Sequence, residues 1–385
     1  MGLQGQGYNI KRWLLAMVLL VCCFSGHVGA TTKLNVSASA AIVMDQQTGQ
    51  VLWTKNPDWK RPMASLTKIV TAILVLEHSD LDELVAISRE AARTPGSSMY
   101  LRAGTTYQVR DLLYGLMLLS GNDAAVALAE HSCGSMEEFV AFMNKRARML
   151  GALNTRFTNP HGLPAEEHYS TAHDMALLAR HALSISEFAT LVASSKAVIP
   201  DPLEASHRPI YNKNRLLWEF EGADGVKTGY TLAAGRCLVA SATRNGRQVV
   251  VVLLDAPRLW EDAATLLTYG LEEYDNIMVA QKGQDLGRIG VAGGLASTVS
   301  LISAQDIWIT VPRSQKDAIE IDYDVCPEVR APVEQWAPLG KLCVRCNDHL
   351  LAETQILAGD GVFPRNWFGL LASFSRRLQS LLANH

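Results

Sequence analysis

MASLTKIVTAILVL, residues 63–76, decides how the rest of the chain is read. One serine and one lysine, three positions apart, interrupt a run that is otherwise almost wholly apolar. Leu66, Ile69, Val70, Ile73 and Leu74 recur at helical spacing, and Pro62 suits a helix start, so a helix is predicted from Pro62 to about His78. Ser65 and Lys68 then share one face of its first turns. Burial disfavours an ammonium, and a neutral amine one turn from a hydroxyl is a base within reach of a nucleophile.

Outward from that helix, SAAIVMDQQTGQVLWTKN places short apolar runs around Gln47-Thr48-Gly49, the pattern of a β-hairpin entering a sheet. Residues 108–153 read as helices, broken at Ser120-Gly121-Asn122. TAHDMALLARHAL is a further helix with Thr171 as its cap. GVKTGYT, RCLVASATRN and RQVVVVLLDA read as strands, the last two joined through Asn245-Gly246, a strong hairpin dipeptide. The helix WEDAATLLTYGLEEY follows. An antiparallel sheet carrying a central block of helices is an α+β layered domain.

The chain has 385 residues, 48% of them hydrophobic, enough for a sizeable core and two domains. With a net charge of −3 and no basic arm, zinc-finger spacing or repeat unit, nucleic-acid binding is set aside. Lys11 and Arg12, the apolar run from Trp13 to Phe24 and the small residues Val28-Gly29-Ala30 form the order of a secretory signal. The run is short of the ~20 residues of a spanning anchor, and the mature chain is predicted to start near Thr31.

Seven cysteines are present, and Cys22 and Cys23 leave with the signal, so at least one of the remaining five is free or pairs between chains. Cys343-x-x-Cys346, with Cys326 and His349, invites a zinc reading. Residues three apart on a strand point to opposite faces, however, so no metal is assigned; ordinary thiols or one disulfide remain open. Residues 276–361 hold short strand-like runs such as IWITVP and KLCVRC and read as a small β domain. In PRNWFGLLASFSRRLQSLLANH, Trp367, Leu370, Leu371, Phe374, Leu378, Leu381 and Leu382 fall on one face, with three arginines and no acid in the stretch. That is the composition of a helix lying in a membrane interface; the alternative is a terminal helix packed on protein.

Three stretches then need one explanation: Ser65-Leu66-Thr67-Lys68, Ser120-Gly121-Asn122 and Lys227-Thr228-Gly229. In this order, in an exported chain, they resemble the three-part signature of penicillin-recognising serine acyl-enzymes. RPMASLTKIVTA, SGNDAA, NPHGL, HYSTAHDMALLA, GADGVKTGYT and AGRCLVASA narrow the resemblance to the low-molecular-mass D-alanyl-D-alanine carboxypeptidases, over roughly residues 36–275. The resemblance implies a penicillin-binding/β-lactamase-like transpeptidase domain followed by a small all-β domain. The domain reading is a signal peptide at 1–30, the catalytic domain at 31–275, the β domain at 276–361 and a membrane-anchoring helix at 362–385.

By this resemblance Ser65 is the nucleophile, Lys68 its base, and Ser120 a proton relay toward the leaving amine. Asn122 holds the substrate amide and orients Lys68. Lys227 and Thr228 bind the terminal carboxylate, with Arg258 as a further contact or an ordinary surface arginine. The N–H groups of Ser65 and of Tyr230, which follows Gly229, form the oxyanion hole. His161 is read as structural and Asp174 as a loop-fixing carboxylate. The implied substrate is the peptidoglycan pentapeptide, with β-lactams as covalent inhibitors, no cofactor, and a place at the outer, extracytoplasmic or periplasmic face of the cytoplasmic membrane. Three rivals stay in view. A β-lactamase needs a deacylating acid, and Glu166 and Glu167 lie in a predicted solvated loop. A non-catalytic wall-binding protein would have lost a catalytic residue, and an endopeptidase on cross-links is the nearest alternative.

Overall fold

The computed structural model describes residues 34–201 and 206–366. The predicted signal segment and the predicted interfacial helix from Trp367 onward lie outside the described residues. Five strands form an antiparallel sheet in the spatial order Val51–Lys55, Ala40–Asp45, Arg247–Leu254, Gly235–Arg244, Ala223–Thr231. Side chains alternate across a strand, and here each face has its own core. Val250, Val252 and Leu254 join Ile42 and Met44 in the core beneath the helical block. Val249, Val251 and Leu253 join Val43 in the core beneath the Leu259–Glu272 helix. Burial on both faces explains the near-continuous apolar run of the Arg247–Leu254 strand. Asn245 and Gly246, at φ +52° and +76°, make the tight turn that the dipeptide predicts.

The Lys68–His78 helix runs through the middle of the helical block, buried from Lys68 to Val75. It packs against the Asn122–Cys133, Met136–Met149 and Ala172–Leu183 helices. Its start differs from the predicted Pro62. Ala64 is left-handed at φ +49°, so the chain first makes a 3₁₀ turn over Ala64–Thr67 and becomes α-helical at Lys68. The Thr67 hydroxyl donates to Ala64 O at 2.8 Å and closes that turn. The strands Lys196–Asp201 and Ser206–Tyr211 pair as a separate ribbon that periodicity does not reveal, because Pro200 and Pro209 interrupt the strand pattern.

The second part has its own apolar core. It holds a two-stranded sheet, Tyr274–Ala280 with Ile307–Pro312, and a six-stranded sheet that includes Pro338–Cys346 and His349–Ala358. Cys346 is buried and Cys343 half-buried, as their spacing on one strand requires, and the five described cysteines are all free thiols. Val362 and Pro364 still pair with Val333 and Gly294, so residues 362–366 close the β domain instead of beginning a helix. Among the described residues no single helix is long and apolar enough to cross a membrane.

Candidate active site

The 3₁₀ turn presents Ser65, half-buried, at the end of the central helix. Lys68, fully buried, places its Nζ 3.1 Å from Ser65 Oγ, 2.7 Å from Asn122 Oδ1 and 2.6 Å from the backbone oxygen of His161. Burial holds the Lys68 pKa well below the usual lysine value, and the charges of Lys227 and Lys213 lower it further. An amine surrounded by three oxygens could donate to all of them only as an ammonium. The neutral form has two N–H groups and one lone pair. The Asn122 and His161 oxygens can only accept, whereas Ser65 Oγ carries a proton to give. The two carbonyls therefore take the N–H groups and turn the lone pair toward Ser65.

Asn122 is held from three directions. Its Nδ2 donates to Pro95 O at 2.6 Å, its backbone N–H to Ser97 O at 2.7 Å, and its Oδ1 accepts from Lys68. Asp123 fixes the same loop from within: its buried carboxylate accepts from Ser98 Oγ at 2.6 Å and from the N–H groups of Met99 and Leu101. Ser120, buried and left-handed at φ +64°, ends a π-helical turn over Gly115–Leu119 and stands two residues before Asn122. Such turns occur mostly as local bulges, often at functional sites.

The Ala223–Thr231 strand is the outer edge of the sheet. Gly229 lets it touch the nucleophile turn, since a Cβ there would lie 3.1 Å from the Ser65 nitrogen and from Met63 O. Lys227 is buried and donates to Thr228 O at 3.0 Å; burial, then the charge of Lys213, pushes its pKa down to about 7. Thr228 is half-buried and Tyr230 exposed. An edge strand beside the serine can take an extended peptide as a further strand.

The loop Asn159–Leu163 closes the other side. Besides the His161 carbonyl on Lys68, Pro160 O accepts from Thr71 Oγ1 at 2.6 Å. Behind the turn, His168 has a defined tautomer. Its Nδ1 accepts from Thr158 N–H at 3.0 Å, so Nε2 carries the proton and donates to Thr67 Oγ1 at 2.9 Å. Burial and the charge of Lys68 push the His168 pKa down to about 4, which keeps the ring neutral. His161 is pushed down to about 3, by burial first and then by Lys68 and His168.

Arg258 is the residue read from sequence as a further carboxylate contact or an ordinary surface arginine. It stands exposed before the Leu259–Glu272 helix, and its guanidinium donates to the backbone and side-chain oxygens of Asn35 at 3.3 and 3.4 Å. That contact ties it to the N-terminal segment. Glu166 and Glu167 are exposed. Asp174 accepts from Asn154 N–H and Thr155 Oγ1, both at 2.7 Å, and so fixes the loop before its helix. Sequence reasoning missed Lys213, whose Nζ is 3.5 Å from Ser97 Oγ and whose charge reaches both buried lysines. The available signal was a lysine between Asn212 and Asn214, two asparagines that prove buried. It also missed Asp123 and the pair Thr67–His168.

Comparison with known proteins gives the same direction. The sequence model of the D-alanyl-D-alanine carboxypeptidase family matches residues 27–258, and that of the penicillin-binding protein 5 C-terminal domain matches residues 274–362. The D-alanyl-D-alanine carboxypeptidase DacF of Bacillus subtilis is 32% identical over 337 residues, 85% of this chain and 86% of its own length. DacC of Escherichia coli is 32% identical over 356 residues, 88% of each chain. The crystal structure of penicillin binding protein 5 from Haemophilus influenzae superimposes with a TM-score of 0.78 at 29% identity, covering 87% of this chain and all of that one. With the family model covering more than half of its length, this chain belongs to the D-alanyl-D-alanine carboxypeptidases, the serine peptidases of the low-molecular-mass penicillin-binding proteins.

Proposed function

We propose that this carboxypeptidase works through an acyl-enzyme on Ser65 and removes the terminal D-alanine of peptidoglycan pentapeptide stems. The observation that carries the reading is the environment of Lys68 Nζ, buried among two oxygens that can only accept and one hydroxyl. Neutral Lys68 takes the Ser65 proton as Oγ attacks the carbonyl of the penultimate D-alanine. The N–H groups of Ser65 and Tyr230 receive the oxyanion, and donors of this kind are worth roughly 3–4 kcal/mol each. Ser120 passes the proton on to the departing amine, D-alanine leaves, and water activated from the Lys68 side hydrolyses the ester. Asn122 has a second Nδ2 hydrogen to offer the substrate backbone. Lys227, Thr228 and the open edge at Gly229 receive the terminal carboxylate, whose negative charge favours the ammonium form of Lys227.

The same geometry predicts lasting inhibition by β-lactams. The carboxylate whose charge reaches Lys68 is Asp123, and it is enclosed by Ser98 and backbone N–H groups. Glu166 and Glu167 are turned to solvent, so no acid of that loop stands ready to deacylate a penicilloyl adduct. Labelled penicillin should add its mass to a peptide containing residues 63–68, and Ser65→Ala should abolish the label with the fold intact. Label that survives in Ser65→Ala would sink the mechanism. Feeding cross-linked muropeptides beside free pentapeptide shows whether endopeptidase cleavage accompanies it.

Placement belongs to the same proposal. Residues 1–30 act as an export signal, 31–275 as the catalytic domain, 276–361 as the β domain, and the arginine- and leucine-rich terminus as the attachment to the outer face of the cytoplasmic membrane. The support is compositional: the order of charged, apolar and small residues at the start, and the one-sided apolar pattern at the end.

A further inference from the structure

The β domain carries a short apolar row close to Asn366, the last described residue. Residues 293–295, 332–333 and 362–365 meet there. Gly294 pairs antiparallel with Pro364, and Val333 with Val362. Leu295 N–H donates to Phe363 O at 2.7 Å, and Val333 and Val362 exchange backbone hydrogen bonds at 2.9 and 2.8 Å. This register sets Leu295 on one side of Phe363 and Pro332 on the other.

Side chains alternate along such segments. Val333 and Val362 are buried, and a Cβ on buried Gly294 would meet the Val362 and Val291 side chains at 2.7 and 2.9 Å, so these positions face the core. The positions between them face outward. Leu295 is 52% and Phe363 55% exposed, and Pro332 is exposed as well. A lone exposed leucine says little, but three apolar residues side by side on one outer face mark a contact surface. Three side chains fall well short of the ~800 Å² a side that a stable protein partner covers.

The path of the chain identifies the partner instead. Arg365 donates from its backbone N–H to Gly293 O at 2.9 Å and from Nε to Gly294 O at 3.1 Å, which pins the exit of the terminal stretch against the same row. Trp367 begins the apolar pattern that composition assigns to a membrane interface, and it follows Phe363 by four residues, at most ~14 Å of chain. A helix of that kind sits ~5–10 Å into the headgroup boundary, so a terminus held there brings the row to the lipid surface. Residues 293–297, 330–334 and 361–366 carry two arginines and one glutamate, and no excess of negative charge opposes an anionic surface.

We propose that Leu295, Phe363 and Pro332 form a second membrane contact, set into the headgroup region beside the terminal stretch, an inference that rests on the membrane placement proposed above. Attachment through the terminus alone would leave the β domain free to turn about Asn366. A second contact on the folded domain fixes the side that it presents to the membrane, and with it the direction in which the catalytic domain is held.

The test is cosedimentation of the full chain with phosphatidylcholine vesicles, with and without phosphatidylglycerol. Leu295→Ser combined with Phe363→Ser should weaken binding about twentyfold, since each half-exposed side chain contributes roughly a fivefold share. Salt screens charges and leaves apolar burial in place, so the same factor should appear on neutral vesicles and at about 0.5 M salt. Soluble pentapeptide should be turned over at the parental rate. Leu153→Ser, which removes a side chain 72% exposed on the catalytic domain, should bind as the parent does. If the double variant fails to fold, Leu295→Ser alone decides, with a roughly fivefold loss. Unchanged vesicle binding in the folded variant, or an equal loss in Leu153→Ser, overturns the contact. A double variant that binds vesicles normally and melts below the parent, with the difference abolished when both chains end at Asn366, places the terminal stretch itself on the row and overturns the contact too. A parent chain that ignores both vesicle compositions overturns the membrane placement itself.

Discussion

Gly162→Ala tests whether the loop before Leu163 and the nucleophile turn are seated on one another as closely as the mechanism needs. Gly162 has φ +91°, and a Cβ there would lie 2.0 Å from Ala64 O and 2.4 Å from Ala64 C. Ordinary contact begins near 3.4 Å, so loop and turn would have to part by about 1.4 Å. Neither side can give way locally. Ala64 O is held by the Thr67 hydroxyl, and the residue before Gly162 supplies the carbonyl that takes one N–H of Lys68. The displacement therefore falls on Ser65 and Lys68 together. A misplacement of ~1 Å can cost ~10²-fold in rate, about 2.7 kcal/mol of barrier. Left-handed backbone adds ~1–2 kcal/mol of lost stability for a residue with a Cβ. Gly104→Ala separates the two effects, since Gly104 has φ +84° with nothing within 4 Å of the added carbon. It should lose ~1–2 kcal/mol of stability and acylate normally. Rates of acylation by a fluorescent penicillin, measured beside thermal melts of both variants, give the answer. Gly162→Ala acylated within about twofold of the parent would refute the reasoning, as would equal slowing in Gly104→Ala; the predicted loss is ~10²-fold.

Acylation requires neutral Lys68, so its rate should fall as pH drops through the lowered pKa. Lys213→Ala removes one of the charges that lower it and should move this acid limb to higher pH; a limb that stays put rules out the coupling. Lys227, at about 7 in the free enzyme, must be charged to hold a carboxylate. The kcat/KM for a D-Ala-D-Ala peptide should therefore decline above about pH 7, while an ester lacking the terminal carboxylate keeps its rate; parallel profiles would remove Lys227 from carboxylate recognition. A chain ending at Asn366 keeps the pairing of Val362 and Pro364. It should be released from anionic vesicles with unchanged turnover of soluble pentapeptide, and undiminished vesicle binding would show that the terminal arginines and leucines are not the attachment.

The sequence by itself determined whatever depends on spacing along the chain. Three-residue separation puts Ser65 and Lys68 on one side of the helix entrance. Alternation marks the strands, and Asn245-Gly246 closes a hairpin because both residues tolerate positive φ. The α+β layering follows from the order of these elements, and the three motifs identify the chemistry through residue type and sequence order. Tertiary structure decided what depends on which segments meet. That Lys68 starts its helix, after a 3₁₀ turn, follows from the left-handed Ala64 beneath Gly162. That its lone pair faces Ser65 follows from the side-chain oxygen of Asn122 and the carbonyl of His161, brought together by separate loops. Lys213 reaches the two buried lysines from a segment without periodicity. Periodicity reports which face of an element is apolar. Burial, and with it the charge state of an amine, depends on the segments that cover that face, and these come from all over the chain.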